Sequence, residues 1–285
     1  MRPGLILKLS SPDHPGIVAK IASYVASHKG NLIEFSQFSD QIGKKFFARL
    51  EIDTSDLDVT VEDFMAGFGT LGRSLQATWH FRPLPYKMRT AVLVTKTDHC
   101  LNEIIWRTEL NELPIEITSV IGNREACRSI TERSGISFHH IEMDGERREK
   151  GFLEIRDLLL AENVELIVLA RFMQILPDTF CQEFSGKIIN IHHSFLPAFI
   201  GANPYKQAHE RGVKLIGATC HYVTADLDAG PIIEQEVERV SHFHSPTDLS
   251  RLGRQCERIA LAKGIRYHVH DRTLIDGHRA IVFPD

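Results

Sequence analysis

Asn190 and His192 stand two residues apart in the run Lys187-Ile188-Ile189-Asn190-Ile191-His192-His193. Alternate side chains of an extended strand share a face, so the amide and the imidazole point the same way. The carboxyl end of a parallel strand is where open α/β sheets bind ligands. An amide N–H beside an imidazole suits a carbonyl group under attack. The amide donates to the developing oxyanion, and the imidazole donates or shuttles a proton. Polar residues at a strand end also serve simply to satisfy backbone groups, and the spacing alone admits both.

A second stretch runs Thr219-Cys220-His221-Tyr222-Val223, then Asp226 and Asp228, then Gly230-Pro231. This is a strand entering an acidic loop. A carboxylate there can hold a histidine in one tautomer, raise its pKa, or take a proton from water. A solvated acidic turn has the same composition.

The elements that must position these residues follow from the apolar pattern. Over the first 80 residues the order is strand, helix, strand, strand, helix, strand. Strands are expected at 5–9, 32–38, 46–52 and 77–81, with amphipathic helices at 17–28 and 59–75. Gly67, Gly69 and Gly72 weaken the second helix. The segment 82–87, with two prolines in three residues, is the expected connector. Beyond it, strands at 90–95, 117–121, 137–141 and 166–170 alternate with helices at 101–109, 124–134 and 146–161. That order implies a parallel sheet covered by helices. Strands at 188–191 and 218–223 follow, then a long helix at 246–263 with Ser245 or Thr247 as its cap. The expected division is 1–82, a connector at 83–88, and 89–285.

Composition narrows the class. At roughly 100–200 residues per domain, 285 residues make two domains. Net charge is -4 and pI near 6.4, which argues against a nucleic-acid binder. No segment reaches the roughly 20 apolar residues of a membrane span, and the N-terminal apolar run is too short for a signal peptide. Five dispersed cysteines suit reduced thiols in the cytoplasm. Fifteen histidines raise the question of a metal. The pairs His139/His140, His192/His193, His242/His244 and His268/His270 lack the companion ligands of a zinc motif, so no metal is expected.

Taken in order, these motifs resemble those of the formyltetrahydrofolate-using hydrolases and transferases. Asn190-Ile191-His192 is similar to their strand-end Asn-x-His, and Leu227-Asp228-Ala229-Gly230-Pro231 to their Leu-Asp-x-Gly-Pro loop. Arg171-Phe172-Met173-Gln174-Ile175-Leu176 resembles their folate-pocket segment. The likeness spans 88–285. Asn190-Ile191-His192-His193-Ser194-Phe195-Leu196-Pro197 resembles the deformylase branch, because transformylases usually have proline directly after the histidine. The segment Thr95–Leu101 also has no glycine, whereas a phosphate cradle needs close backbone approach. The acceptor phosphate site is therefore expected to be lost, leaving water as acceptor. The N-terminal unit resembles an ACT domain, and Asp13-His14-Pro15-Gly16-Ile17 is similar to the turn that opens its first helix.

The resemblance implies an α/β chain: a βαββαβ ACT (ferredoxin-like) domain joined to a Rossmann-like, formyltransferase-type domain with a mostly parallel sheet. It implies hydrolysis of 10-formyltetrahydrofolate to formate and tetrahydrofolate, supplying formate for purine synthesis and balancing the folate pool, with no separate cofactor. Asn190, His192 and Asp228 would be catalytic. His193 would place the water, and His221 would orient Asp228. Met173, Gln174, Ile175, Leu176, Ala225, Asp226 and Leu227 would meet the folate. An amino acid such as glycine or methionine would bind near Asp13, His14, Gly16 and Ile17, and the ACT units would pair the chain into a dimer or tetramer. The alternatives are formyl transfer to an amine acceptor and a non-catalytic folate or amino-acid sensor.

Overall fold

The structure, a computed structural model, describes residues 3–196 and 204–284. Pro197 of the histidine motif lies outside them. The chain divides into two compact units. The first runs to Tyr86 and takes in His270–Leu274 and the residues from Ile281. The second holds Lys87–Val269 and Ile275–Ala280.

The first unit contains β1 (Gly4–Pro12), α1 (Ile17–Ser27), β2 (Asn31–Asp40), β3 (Lys45–Asp53), α2 (Val61–Ser74) and β4 (Thr78–Leu84). The four strands form an antiparallel sheet in the order β2-β3-β1-β4. Period-two alternation puts Leu5, Leu7 and Leu9 into a core with Ile17 and Ile21 of α1 and Phe64 and Phe68 of α2. The intervening Lys8 ion-pairs instead with Asp271, from the C-terminal segment that belongs to this unit. The expected connector is shorter than the sequence suggests. Arg82, Pro83 and Leu84 pair with Ile6, Leu5 and Gly4 as part of β4. Pro83 is tolerated because β4 is an edge strand and has no second neighbour requiring its missing N–H.

The second unit contains β5 (Met88–Val94), α3 (His99–Glu109), β6 (Ile115–Gly122), a 3-10 turn at Glu125–Cys127, α4 (Arg128–Arg133), β7 (Ser137–His140) and α5 (Arg147–Ala161). It continues with β8 (Leu166–Leu169), α6 (Asp178–Glu183), β9 (Ile188–His192), α7 (Pro204–Glu210), β10 (Leu215–Tyr222), β11 (Ile232–Arg239) and α8 (Pro246–Val269). A hairpin of β12 (Thr273–Asp276) and β13 (Arg279–Val282) ends the element order, with its residues divided between the two units. The seven-stranded sheet has the order β11-β10-β9-β8-β5-β6-β7. The five strands β9, β8, β5, β6 and β7 are parallel, so the sheet is mostly parallel as expected. β10 and β11 run antiparallel to their neighbours.

Progress along the sheet reverses between β5 and β8, which opens a crevice beyond their carboxyl ends. Phe152, Ile155 and Leu159 of α5 and Phe180 of α6 pack on Ala91, Leu93, Ile167 and Ile188. α8 lies along β9, β10 and β11 and against α3. Its start is fixed by a reciprocal cap: Asp248 N donates to Ser245 Oγ and Ser245 N to Asp248 Oδ2. No helix among the described residues is long and apolar enough to cross a membrane.

Candidate active site

Asn190 and His192 are the third and fifth residues of β9, at its carboxyl end. Their cross-strand partners on β10 are His221 and Thr219. Thr219 fixes the exit of the chain from β9. Its hydroxyl donates to Ser194 O and accepts from Leu196 N, both at 3.0 Å, and from Gln235 Nε2 at 3.1 Å.

His221 sets the orientation of the Asn190 amide. Its Nδ1 lies 2.9 Å from Tyr222 O, and a carbonyl only accepts, so Nδ1 carries the proton. Burial pushes its pKa down, which keeps the ring neutral. Nε2 is then an acceptor, and Asn190 Nδ2 donates to it at 3.2 Å. One N–H of the amide is thus committed and the other is left. His221 was expected to orient Asp228; its Nε2 stands 3.7 Å from Asp228 Oδ1, so the nearer partner is Asn190.

Asp228 reaches His192 instead. Its Oδ2 lies 3.2 Å from His192 Nδ1. That hydrogen bond, outweighing partial burial, holds the carboxyl below its ordinary value. The backbone at Asp228 is left-handed, φ 54°, a region Asp enters more readily than most residues. The loop is seated on the end of β10. Tyr222 N donates to Pro231 O at 2.9 Å, and a Cβ at Gly230 would lie 1.8 Å from Tyr222 O. Only glycine fits there. With Nδ1 taken by Asp228, His192 Nε2 is buried and has no hydrogen-bond partner among the described residues.

These side chains open on a cavity of about 280 Å³. Met173, Gln174, Ile175 and Leu176 line it, as do Ala225 and Leu227. Met173 N donates to Thr95 Oγ1 at 2.9 Å, and Arg148 Nη2 donates to Ile175 O at 2.6 Å, which anchors that segment. Of the residues expected to meet folate, Asp226 alone is not at the cavity wall. It is exposed and not among the lining residues, and its carbonyl accepts from Thr224 Oγ1 and Ala229 N within the turn. His193 lines the cavity with its ring 5.1 Å from that of His192. Burial first, and then the charge of Arg171, lower its pKa to about 4, so it is neutral near pH 7.

A second polar cluster escaped sequence reading. Glu257, 1% exposed on α8, takes hydrogen bonds from His99 Nε2 at 2.7 Å and Tyr205 Oη at 2.8 Å. Arg171 Nε lies 3.4 Å from Glu257 Oε2. Burial raises the carboxyl, and the hydrogen bond from His99 and the charge of Arg171 outweigh it. Donor atoms of His99, Cys100 and Glu257 lie within 4.8 Å of one another. The 2.7 Å contact is shorter than the roughly 3.3 Å between donors on one zinc ion. Burial also holds the Cys100 thiol protonated, and a guanidinium sits alongside. The set is therefore a hydrogen-bonded acid network. The residues come from α3, the end of β8, α7 and α8, and no local period links them. Arg171 lies in the folate-pocket segment and His99 in the glycine-free segment after β5, but neither segment pointed to Glu257 or Tyr205.

In the first unit, Asp13 N donates to Lys44 O, and half-buried His14 turns Nδ1 to Pro15 O. Gly16 caps α1 with φ 90°, a conformation that favours glycine. Ile17 is 2% exposed and belongs to the core, so its side chain is not presented to a ligand.

The formyl transferase family model matches residues 88–265 and the ACT domain model residues 5–66. A formyltetrahydrofolate deformylase of Bacillus subtilis is 44% identical over 97% of this chain and 93% of its own. The solved structure of a formyltetrahydrofolate deformylase from Pseudomonas syringae pv. tomato superposes with a TM-score of 0.97. It is 41% identical, covering 100% of this chain and 95% of that one. A glycinamide ribonucleotide transformylase from Symbiobacterium toebii covers 71% of this chain and 97% of its own, at 29% identity and TM-score 0.67.

Proposed function

The chain belongs to the formyltetrahydrofolate deformylases, and from that premise we propose how its residues remove a formyl group with water. The reaction is hydrolysis of 10-formyltetrahydrofolate to formate and tetrahydrofolate. The observation that carries the residue assignment is the buried, unpartnered His192 Nε2, backed at Nδ1 by Asp228 and flanked by the Asn190 amide.

Water adds to the formyl carbon as His192 Nε2 takes one of its protons. The remaining Asn190 N–H donates to the oxyanion, an interaction whose removal typically costs about 3–4 kcal/mol of barrier. Asp228 stabilises the imidazolium and holds its ring. Its depressed pKa makes it the poorer proton acceptor of the two groups. The imidazolium then protonates the departing folate nitrogen as the carbon–nitrogen bond breaks. The second water proton is lost when formic acid ionises. Nothing in this sequence calls for a cofactor. Met173, Gln174, Ile175, Leu176, Ala225 and Leu227 supply a largely apolar wall for the pterin.

Formyl transfer to an amine is disfavoured. The segment after β5 has no glycine for a phosphate, and His99, which opens α3, is tied to Glu257. The deciding assay is formate release from 10-formyltetrahydrofolate by purified protein with no amine present. Turnover that required an amine acceptor would overturn the proposal. In the cell the formate would feed purine synthesis in the cytoplasm and the reaction would balance the folate pool. The ACT domain would sense an amino acid such as glycine or methionine and join chains into a dimer or tetramer.

A further inference from the structure

We propose that Arg171 is the receptor for the formate product, forming a monoanion subsite in the same cavity as Asn190 and His192. This rests on the hydrolytic reading, because hydrolysis is what creates an anion there. A new carboxylate formed beside the carboxylate of Asp228 is repelled strongly in a poorly solvated cavity. A cation placed to receive it relieves that repulsion and draws the product off the reacting atoms.

Arg171 has the required chemistry. It lines the cavity directly after β8, with its side chain 17% exposed. A guanidinium offers five N–H donors in a fork that matches a carboxylate. Among the described residues it ion-pairs with Glu257 at 3.4 Å, and its buried Nε makes no hydrogen bond. Buried arginine donors are normally satisfied, so a buried one that is neutralised but not hydrogen-bonded stands out.

Glu257 explains how this state persists. His99 holds Oε2 and Tyr205 holds Oε1, which fixes the carboxylate where it pairs with the guanidinium at 3.4 Å without a hydrogen bond to Nε. It balances the charge of Arg171 and leaves Nε without a hydrogen bond. The backbone at Arg171 is left-handed, φ 63°, a conformation unfavourable for a non-glycine residue that surrounding structure must sustain. Half-neutralised, the guanidinium binds a small anion weakly and exchangeably, as product release requires. His193, neutral near pH 7, adds no competing charge.

The test is direct binding of sodium formate to the full-length, folate-free protein, read by saturation transfer to the formate proton and by titration. The wild type is expected to bind formate. Arg171→Gln should weaken it by about tenfold or more, the loss of a charge-assisted contact. Arg171→Lys, which keeps the charge and loses the fork, should fall between. Glu257→Gln should tighten binding, and if that variant does not fold, the Arg171 pair alone decides. Product inhibition by formate during hydrolysis should follow the same order. Absence of formate binding in the wild type, or Arg171→Gln binding as tightly as wild type, would overturn the proposal. Because binding is read without turnover, failure to hydrolyse 10-formyltetrahydrofolate would sink the hydrolase reading separately.

Discussion

Two aspartates, one in each unit, look alike by every local measure. Asp271 and Asp228 both have left-handed backbones, at φ 52° and 54°. Their side chains are 1% and 16% exposed, and both carboxyls are held below the ordinary range. Their partners differ. Asp271 meets Lys8 Nζ at 2.9 Å and the Arg82 guanidinium. Burial raises its pKa, and the charges of Lys8 and Arg82 more than offset that. Among the described residues, the charged and titratable partners of Asp228 are histidines, above all His192. Lysine and arginine stay charged across the physiological range, so Asp271 is locked. A histidine changes charge there, so Asp228 stands behind a group that can gain and lose a proton. A depressed carboxylate does not by itself mark a working site; the titratability of its partner does.

The largest break in that comparison is expected from Asp228→Asn. Formate release should fall by about 10⁴-fold, as when an analogous carboxylate behind a histidine loses its charge and permits the wrong tautomer. Steady-state assay of purified variant beside a urea melt separates this from unfolding. A loss smaller than about tenfold would mean that Asp228 does not hold His192 for catalysis.

Asp271→Asn should invert the pattern. It removes the negative charge that Lys8 and Arg82 share, and because both keep some solvent, the cost is about 2–3 kcal/mol rather than the full burial penalty. Turnover per folded molecule should stay near wild type. The acid limb carries a sign. A carboxyl lowered on folding adds stability above its ordinary pKa, and that stability is lost as pH falls through the folded value. Melts of wild type from pH 6 towards pH 2 should therefore lose a contribution that Asp271→Asn lacks. Parallel curves for the two proteins would count against the pairing. The smallest effect belongs to Lys8→Ala, about 1 kcal/mol, because Arg82 still neutralises Asp271.

What the sequence revealed and what it hid have physical reasons. Asn190 and His192 were legible because a strand repeats every two residues, and β9 delivers both to one end. Asp228 was legible as an acid in a Gly-Pro loop. That Asp228 rather than Asp226 faces the cavity depends on a left-handed backbone in the turn, which composition does not encode. The antiparallel direction of β10 was hidden because a strand buried along its length is apolar whichever way it runs. β11 was missed because Ile232–Arg239 is an edge strand rich in charge. The Glu257 network was beyond reach, since His99 and Glu257 are 158 residues apart and meet only through the packing of α3 on α8.

All five cysteines are buried, and all lie between residues 87 and 269. Thiol reagents attack the thiolate, and burial raises each pKa, to about 11 for Cys127 and Cys256. Native protein thus shields every thiol until the second unit opens, while the segment up to Tyr86 carries no cysteine. The molecule comes with a stopwatch fitted to one half only. Labelling rates time the breathing of the catalytic unit and are blind to motions confined to the other.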